Sequence, residues 1–486
     1  MSALIYALSI LSSLAPVEAP AGTQIHVRLT STVGSYASRV GSPVEGVLIA
    51  PVQVNGVTVL PARSKVFGEV ESVRRVGFGV IHESAAIGLQ FDRVVLPDGA
   101  DVPISTRVQQ VDNGRERVNR KGLIERVRST GSVSHRVCGY IKTALLWQFH
   151  ADVAYWAIKT LIVQVPEPEI YFQPGVELTL VATAPLRVSA SPQSAGELDS
   201  LSPAQLEEVD GLVAAMPART VSALTAVQSD LINLAVIGSR EQLAAAFAQA
   251  GWVEAHPVSF RSKVRGAKAV AEGMGYRSAP MSAQLLDRSE ADMSLEKGLN
   301  DVSKRHHVRV WKQPGQWRGQ DVWVGAGTRD LDFAYLRPGG RFTHTIEENI
   351  DQEREKIVYD LAFTSCVEGA DWIQRKDFPK AARNATGDPI STDGRLALVR
   401  LNDCTGRQSA KENSELTFVP QHGTGVQRFV RREILSMRND LFRANPYFRS
   451  YEGIRALIHV CRRSWPQLDA RNTTPVQAGS SPRSAN

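Results

Sequence analysis

The spacing of apolar and polar positions changes along the chain, and those changes divide it. From residue 24 to 106 the period is two. "QIHVRLT", "SKVFGEVESVRRV" and "AAIGLQFDRVVLPDGADVPI" place apolar residues on alternate positions, as strands with one covered face do. In "VQVNGVTVLP" the pair Asn55-Gly56 separates two alternating runs and signals a tight hairpin; Pro97-Asp98-Gly99 marks a further turn. Short strands this closely spaced predict a small barrel or sandwich. Residues 107–137 are cationic, lack a clear period and read as a mobile loop. "EIYFQPGVELTLVATAPLRV" restores the alternation, with two strands around Pro174-Gly175, and closes the first domain.

Within that domain, residues 141–163 ("IKTALLWQFHADVAYWAIKTLIV") form the most apolar stretch. Lys142, His150, Asp152 and Lys159 interrupt it, so no segment qualifies as a transmembrane span. As a helix it carries one narrow polar stripe (Gln148, Asp152, Tyr155, Lys159), which predicts packing on a sheet or partner; a membrane surface is the alternative.

After a Ser/Pro/Gly-rich linker at 189–203, the pattern mixes periods. Ser202, Pro203 and Gln205 write a helix start with a capping box, and Ser239 with Gln242 writes another before "REQLAAAFAQAGW". "DLINLAVIG" reads as one buried strand and "SKVRGAKAVAEGMG" as a short helix. "HHVRVW" and "DVWVGAGT" read as strands, followed by a long helix from Ile346 to about Phe363 and a last strand "LALVRL". Two basic helices follow Thr405, and "RNTTPVQAGSSPRSAN" is expected to be disordered. The expected fold class is α+β: an N-terminal small β-barrel or sandwich-like domain, then a mixed α/β domain and a basic helical tail. The expected division is a signal peptide at 1–19, a β-rich domain at 20–188, the linker, an α+β domain at 204–404, a basic helical extension at 405–465 and a tail at 466–486.

At 486 residues the chain is too long for one ordinary core. Its start, MSALIYALSILSSLAPVEA, has an apolar run from Ala3 to Leu14 and a small-x-small pattern ending at Ala19, the layout of a secretory signal peptide, although no Lys or Arg precedes the run. Export to the periplasm or cell envelope is therefore expected. Between Val426 and Trp465 nine arginines face three acids, an excess of +6 that equals the net charge of the whole chain. This segment is where envelope proteins or anionic lipid would be met, with a merely solvated face as the plainer reading. No nucleic-acid motif is present. Cys138, Cys366, Cys404 and Cys461 lack metal-ribbon spacing. Cys366 with Cys404 is the disulfide expected after export, because both fall in one domain; packed free thiols are the alternative.

Five segments in order, "SDLINLAVIGSREQLAAAFAQAGW" (229–252), "YRSAPMS" (276–282), "RHHVRVW" (305–311), "VWVGAGTRD" (322–330) and "THTIEENIDQEREKIVYDL" (343–361), resemble the LssY C-terminal domain family over about residues 219–404. The resemblance implies a bacterial protein associated with the cell envelope, with a link to secretion. It supplies no activity and no catalytic residue. "VLPARSKVFGEV" in the first domain also resembles the small β-barrels of TrbI-like envelope proteins from type IV secretion systems.

Candidate chemistry concentrates in "KRHHVRVW". In a strand His306 shares a face with Val308 and Val310, and His307 shares one with Arg309 and Trp311, so at most one of the pair belongs to any single site. Thr345 and Glu348 read as a capping box that sets His344 just before a helix N-terminus. On that helix Ile346, Ile350, Ile357 and Leu361 trace the buried stripe, with Glu353 and Arg354 half-buried beside it and pairing with strand residues such as Arg309 or Asp330. Candidate catalytic residues are thus His306, His307, Glu353, Arg354 and Arg309. Candidate ligands for a divalent metal are His307, His344, Asp330 and Glu353, a His₂-carboxylate set with room for a water, beside which Arg305 and Arg309 would hold a phosphate. A structural polar network and a non-catalytic binding pocket are the other readings. Trp311, Trp317 and Trp323 read as packing. "GAGT" at 325–328 precedes no helix and is not a phosphate loop, and no G-x-S-x-G elbow exists. The function expected is a binding or scaffold component of an envelope or secretion-related assembly. The alternative is a metal-dependent hydrolase of phosphorylated or lipid substrates.

Overall fold

The computed structural model describes residues 17–78, 83–112, 114–126, 168–188, 198–272, 275–298, 304–336, 341–404 and 425–455, with Ala154, Lys159, Leu457 and Ile458. The chain up to residue 16, most of the apolar segment 141–163, linker residues 189–197, Cys138, Cys461 and the tail lie outside the described residues.

The period-two pattern of the first third becomes strands: β1 (Gln24–Leu29), β2 (Pro43–Leu48), β3 (Lys65–Arg74), β4 (Ala86–Val95), β5 (Thr106–Val111) and β6 (Glu177–Ala182). They pair antiparallel in the order β5-β6-β1-β2-β3-β4, continued past β4 by Ile124–Glu125 and Arg117–Val118. The sheet curls until its ends meet, with Thr106 Oγ1 donating to the Phe91 carbonyl at 2.8 Å and Ile104 N to Asp92 O at 2.8 Å. The result is a nearly closed barrel filled by Ile25, Val27, Val66, Phe91 and Leu180. Asn55 and Gly56, at φ 51° and 80°, make the expected hairpin turn between Val52–Val54 and Val57–Leu60.

One reading of this region changes. The 107–137 stretch, expected to be a loop, opens with β5 and carries the two short strands beyond β4. Its apolar residues Val108, Val111 and Ile124 are buried in the barrel, and the cations between them had hidden the alternation. Upstream, Val17–Ala19 pairs with Leu186–Val188, and Ala19 is fully buried. Cleavage after Ala19 would therefore remove one strand of that pair.

The second sheet is built from β7 (Leu234–Ile237), β8 (Met293–Lys297), β9 (Arg305–Trp317), β10 (Gln320–Leu336), β11 (Arg341–Ile346), β12 (Val367–Gln374) and β13 (Arg395–Leu401). Its order is β8-β9-β10-β7-β13-β12, with Val253–Glu254 on the edge of β8 and β11 beside β10. The β7–β13 pair is parallel and the others antiparallel. Among the described residues four helices accompany it, α1 (Pro203–Ala215), α2 (Arg240–Gln249), α3 (Phe260–Glu272) and α4 (Ile350–Phe363), whereas α5 (Gly425–Ala444) packs Leu435 into the barrel core and bonds Val76 and Glu169 through Arg431. α1 covers one face over Trp311, Val322 and Leu398. α2 and α4 cover the other, around Phe247, Trp252, Val308, Trp323 and Leu361. The architecture is α+β.

Both capping boxes form, at Ser202/Gln205 and Ser239/Gln242. The third does not. β11 pairs with β10 as far as Asp330↔Ile346, so the ladder claims Thr345 and Ile346. The helix starts four residues later, where the Asn349 side chain accepts from Asp351 N at 3.1 Å. His344 consequently lies in a strand and not before a helix N-terminus. "DLINLAVIG" also breaks in two. Gln228–Leu231 joins a small sheet with Arg219–Ser222 and Gln284–Leu286, and β7 begins after Asn233. The buried Asn233 amide bonds both the N–H and the carbonyl of Gly327 at 2.9 Å.

Gly327 explains "GAGT". A Cβ there would stand 2.6 Å from Ile357 Cδ1 of α4, so glycine sets how closely the helix approaches β10. Gly327→Val is expected to cost about 3 kcal/mol by overpacking, lowering Tm by roughly 6–10 °C in a thermal melt. Cys366 and Cys404 form the disulfide anticipated, closing a separation of 38 residues at Cα–Cα 5.3 Å. Replacing both by serine is expected to lower unfolding stability by about 4 kcal/mol, with no further loss when reductant is added.

Candidate functional site

β9 sorts its polar residues onto two faces, and each face has its own set of carboxylates. On the α4 side, His306 is held between two of them. Its Nδ1 lies 2.6 Å from Glu353 Oε2 of α4 and its Nε2 lies 2.8 Å from Asp112 Oδ2, just past β5 of the barrel. Arg329 of β10 reaches the other Asp112 oxygen at 2.8 Å. Burial alone would depress the His306 imidazolium, but Asp112 and Glu353 outweigh it and raise its pKa to about 9. His306 is therefore a cation at neutral pH between Asp112 of the barrel and Glu353 of α4, whose own carboxyl burial pushes up against the pull of His306.

A second cluster continues the junction. α4 places Glu353, Lys356 and Asp360 at i, i+3 and i+7, one charged stripe beside its apolar one. Lys356 Nζ meets Glu177 Oε2 of β6 at 2.8 Å and Asp360 Oδ1 at 2.5 Å. Lys297 Nζ meets Glu177 Oε1 at 3.1 Å and Asp360 Oδ2 at 2.8 Å. Arg28 of β1 bonds Glu177 at 2.8 Å and stacks 4.6 Å over the Phe363 ring, and Trp252 Nε1 donates to Asp360 at 3.1 Å. Burial would push the Glu177 and Asp360 carboxyls up, but Lys297 and Lys356 hold both below the usual range.

The opposite face carries Arg305, His307 and Arg309. Arg305 Nη1 meets Glu296 at 2.8 Å, and Arg309 donates to the Ser282 carbonyl at 2.9 Å with Asp230 at 3.5 Å. His307 Nε2 stands 3.1 Å from Asp330 Oδ2, and His344 Nδ1 stands 3.5 Å from the same oxygen. Arg305 Nη2 lies 3.6 Å from Asp330 and 3.5 Å from His344 Nε2. Burial depresses the His307 imidazolium to about 4, with Arg305 and Arg309 adding to the effect, so the ring is neutral. Burial likewise raises Glu296 to about 8, which Arg305 only partly opposes.

The sequence-derived set is thus divided. His307, His344 and Asp330 meet; Glu353, which was to join them, lies on the other face with His306 as its partner. Glu353 and Arg354 are fully buried, not half-buried, and their partners are not Arg309 or Asp330. Arg354 ties the first turn of α4 to Asp393 at 2.8 Å and to the Arg395 carbonyl at 2.7 Å, away from both clusters. Among the described residues no group of three or more His, Cys, Asp or Glu side chains is arranged to hold a metal ion. Trp311 and Trp323 are core residues whose indole N–H groups donate to the carbonyls of Ser289 and Gly238.

The barrel-side partners Asp112, Glu177 and Arg28 were absent from the sequence reading, because nothing in a single chain pairs positions almost 200 apart. The charged stripe of α4 was visible and could have been found from Lys356 and Asp360.

Among the described residues no helix is long and apolar enough to cross a membrane. No curated protein sequence matches this one. Among solved structures, ComB10 of the Com type IV secretion system of Helicobacter pylori is similar at 10% identity and a TM-score of 0.21, covering 36% of this chain and 93% of that one. The family model described as LssY C-terminus matches residues 213–396, the stretch that holds most of the second sheet and its helices α2, α3 and α4, and over that stretch the chain is similar to that family.

Proposed function

We propose that this protein is an exported, non-catalytic binding or scaffold component of the bacterial cell envelope, in which the barrel and the LssY C-terminal domain act as one body. The observation that carries the reading is the use made of the reactive-looking residues. His306 and Glu353, two of the catalytic candidates, are buried and spent on each other, and His306 also on Asp112 across the junction. A buried, paired imidazolium neither takes a proton from a substrate nor reaches one.

α5 supplies a surface for partners. Val426, Val430, Ile434, Met437 and Leu441 recur at helical spacing and stay exposed, while Glu433, Ser436, Asn439 and Asp440 are buried. Several of its arginines face inward: Arg431 bonds Glu169 at 2.8 Å and Arg438 bonds the Gly77 carbonyl. An envelope protein with an apolar groove fits this stripe better than an anionic lipid surface does.

A second reading keeps the hydrolase. It is favoured by the convergence of His307 and His344 on Asp330 Oδ2, with Arg305 alongside. Assay of the untagged chain against aryl phosphates and phosphatidate, with zinc, manganese or magnesium, separates the two. The scaffold reading expects no turnover above blank and less than a tenth of an equivalent of bound metal by elemental analysis. Turnover and metal that both disappear in His307→Ala would replace it with the hydrolase.

A further inference from the structure

α3 is packed backwards for a helix of a water-soluble domain. Its start is secured by a reciprocal pair, Ser259 N donating to Ser262 Oγ at 2.8 Å and Ser262 N to Ser259 Oγ at 3.1 Å. Among its described side chains those turned inward are small: Ser262 and Ala269 are buried, and at 100° per residue they lie within 20° of one another. On the diametrically opposite side Phe260, Val264 and Ala267 form an apolar stripe, with Phe260 83% and Val264 50% exposed. Val258, 60% exposed, precedes them. Lys263 flanks this stripe on one side, and Arg261, Arg265 and Lys268 on the other. All four cations are exposed, and the helix has no acid before its last residue, Glu272.

An exposed apolar stripe flanked by cations, on a helix with no acid before Glu272, is the pattern of a helix that lies on a membrane surface. We propose that α3 is an interfacial helix that lies on an anionic bilayer, with Phe260 and Val264 entering the headgroup–acyl boundary and Lys263, Arg261 and Arg265 meeting lipid phosphates. The charge pattern commits the surface to anionic lipid, because apolar insertion and phosphate pairing act together at a membrane surface. This goes beyond the scaffold reading. It places the membrane contact on α3, whereas several arginines of the more basic α5 segment bond the protein itself.

The test is flotation of the full chain with vesicles of phosphatidylcholine alone or with roughly a third phosphatidylglycerol, at low and high salt. Binding is expected only with the anionic lipid and is expected to fall with salt. Lys263→Gln/Arg265→Gln is expected to weaken it about thirtyfold, roughly fivefold per cation. Phe260→Ser/Val264→Ser is expected to weaken it at least tenfold. These side chains are exposed, so unchanged thermal melts establish that both variants are folded. Val430→Ser/Ile434→Ser in α5 serves as the comparison. Three results overturn the proposal: no binding to anionic vesicles, equal binding by wild type and both α3 variants, or loss of binding only in the α5 variant. Loss in the cation variant without loss in the apolar one overturns insertion.

Discussion

Replacing His306 by alanine is expected to destabilise the folded chain by about 3–5 kcal/mol, because it leaves Asp112 and Glu353 buried without the cation between them. The effect has a pH signature with a definite sign. The folded pKa of His306, about 9, lies above its unfolded value of 6.5. Its contribution is therefore fully present below about pH 6.5 and is lost as pH rises through about 9. Glu353 sharpens this loss. Burial pushes its carboxyl up and His306 only partly opposes that, so Glu353 costs stability as pH rises above its unfolded value, and more once the imidazolium deprotonates. Asp112 runs the other way: its carboxyl is held low by His306 and Arg329 against burial, so its contribution is lost as pH falls below about 4. The stability difference between wild type and His306→Gln should be widest near pH 6 and should close by about pH 9.5. A constant difference across that range would mean that the ring is packed without charge.

Removing Asp360 is expected to be costlier than removing most single side chains. It accepts from Lys297, Lys356 and Trp252 and lies 3.6 Å from Arg28, and its side chain is fully buried. Asp360→Ala leaves those cations on Glu177 alone, at an expected cost of about 4–5 kcal/mol and a Tm roughly 10–15 °C lower. Asp360→Asn retains an acceptor for the indole and should cost about half as much. A double-mutant cycle with Glu177→Gln measures the coupling across the junction directly, and at least about 1 kcal/mol is expected for charges that share two lysines. Strict additivity would mean that the lysines bind one carboxylate and only neighbour the other.

Strands β1, β3, β4, β6, β9, β10 and β13, both serine capping boxes, the hairpin at Asn55-Gly56 and the Cys366–Cys404 pairing were legible because each rests on neighbours in sequence or on shared residence in one domain, whereas β2, β5, β8, β11 and β12 were not. The alternation of β9 likewise separated His306 from His307 correctly. What failed depended on tertiary competition. Thr345 and Glu348 spell a capping box, but β10 offers Thr345 a ladder partner and takes it. Glu353 was rightly singled out as a charge in need of a partner, yet the partner it has is itself held by Asp112, beyond any local pattern.

His306 is the clamp between the barrel and the β7–β13 sheet with its helix α4. Hydrogen exchange of His306→Gln against wild type at pH 6.5, followed by peptide, tests it most directly. The account predicts faster exchange on both sides of the junction, in β5 and β6 of the barrel as well as in α4 and β9. Faster exchange confined to α4 and β9, with the barrel protected as before, would contradict it.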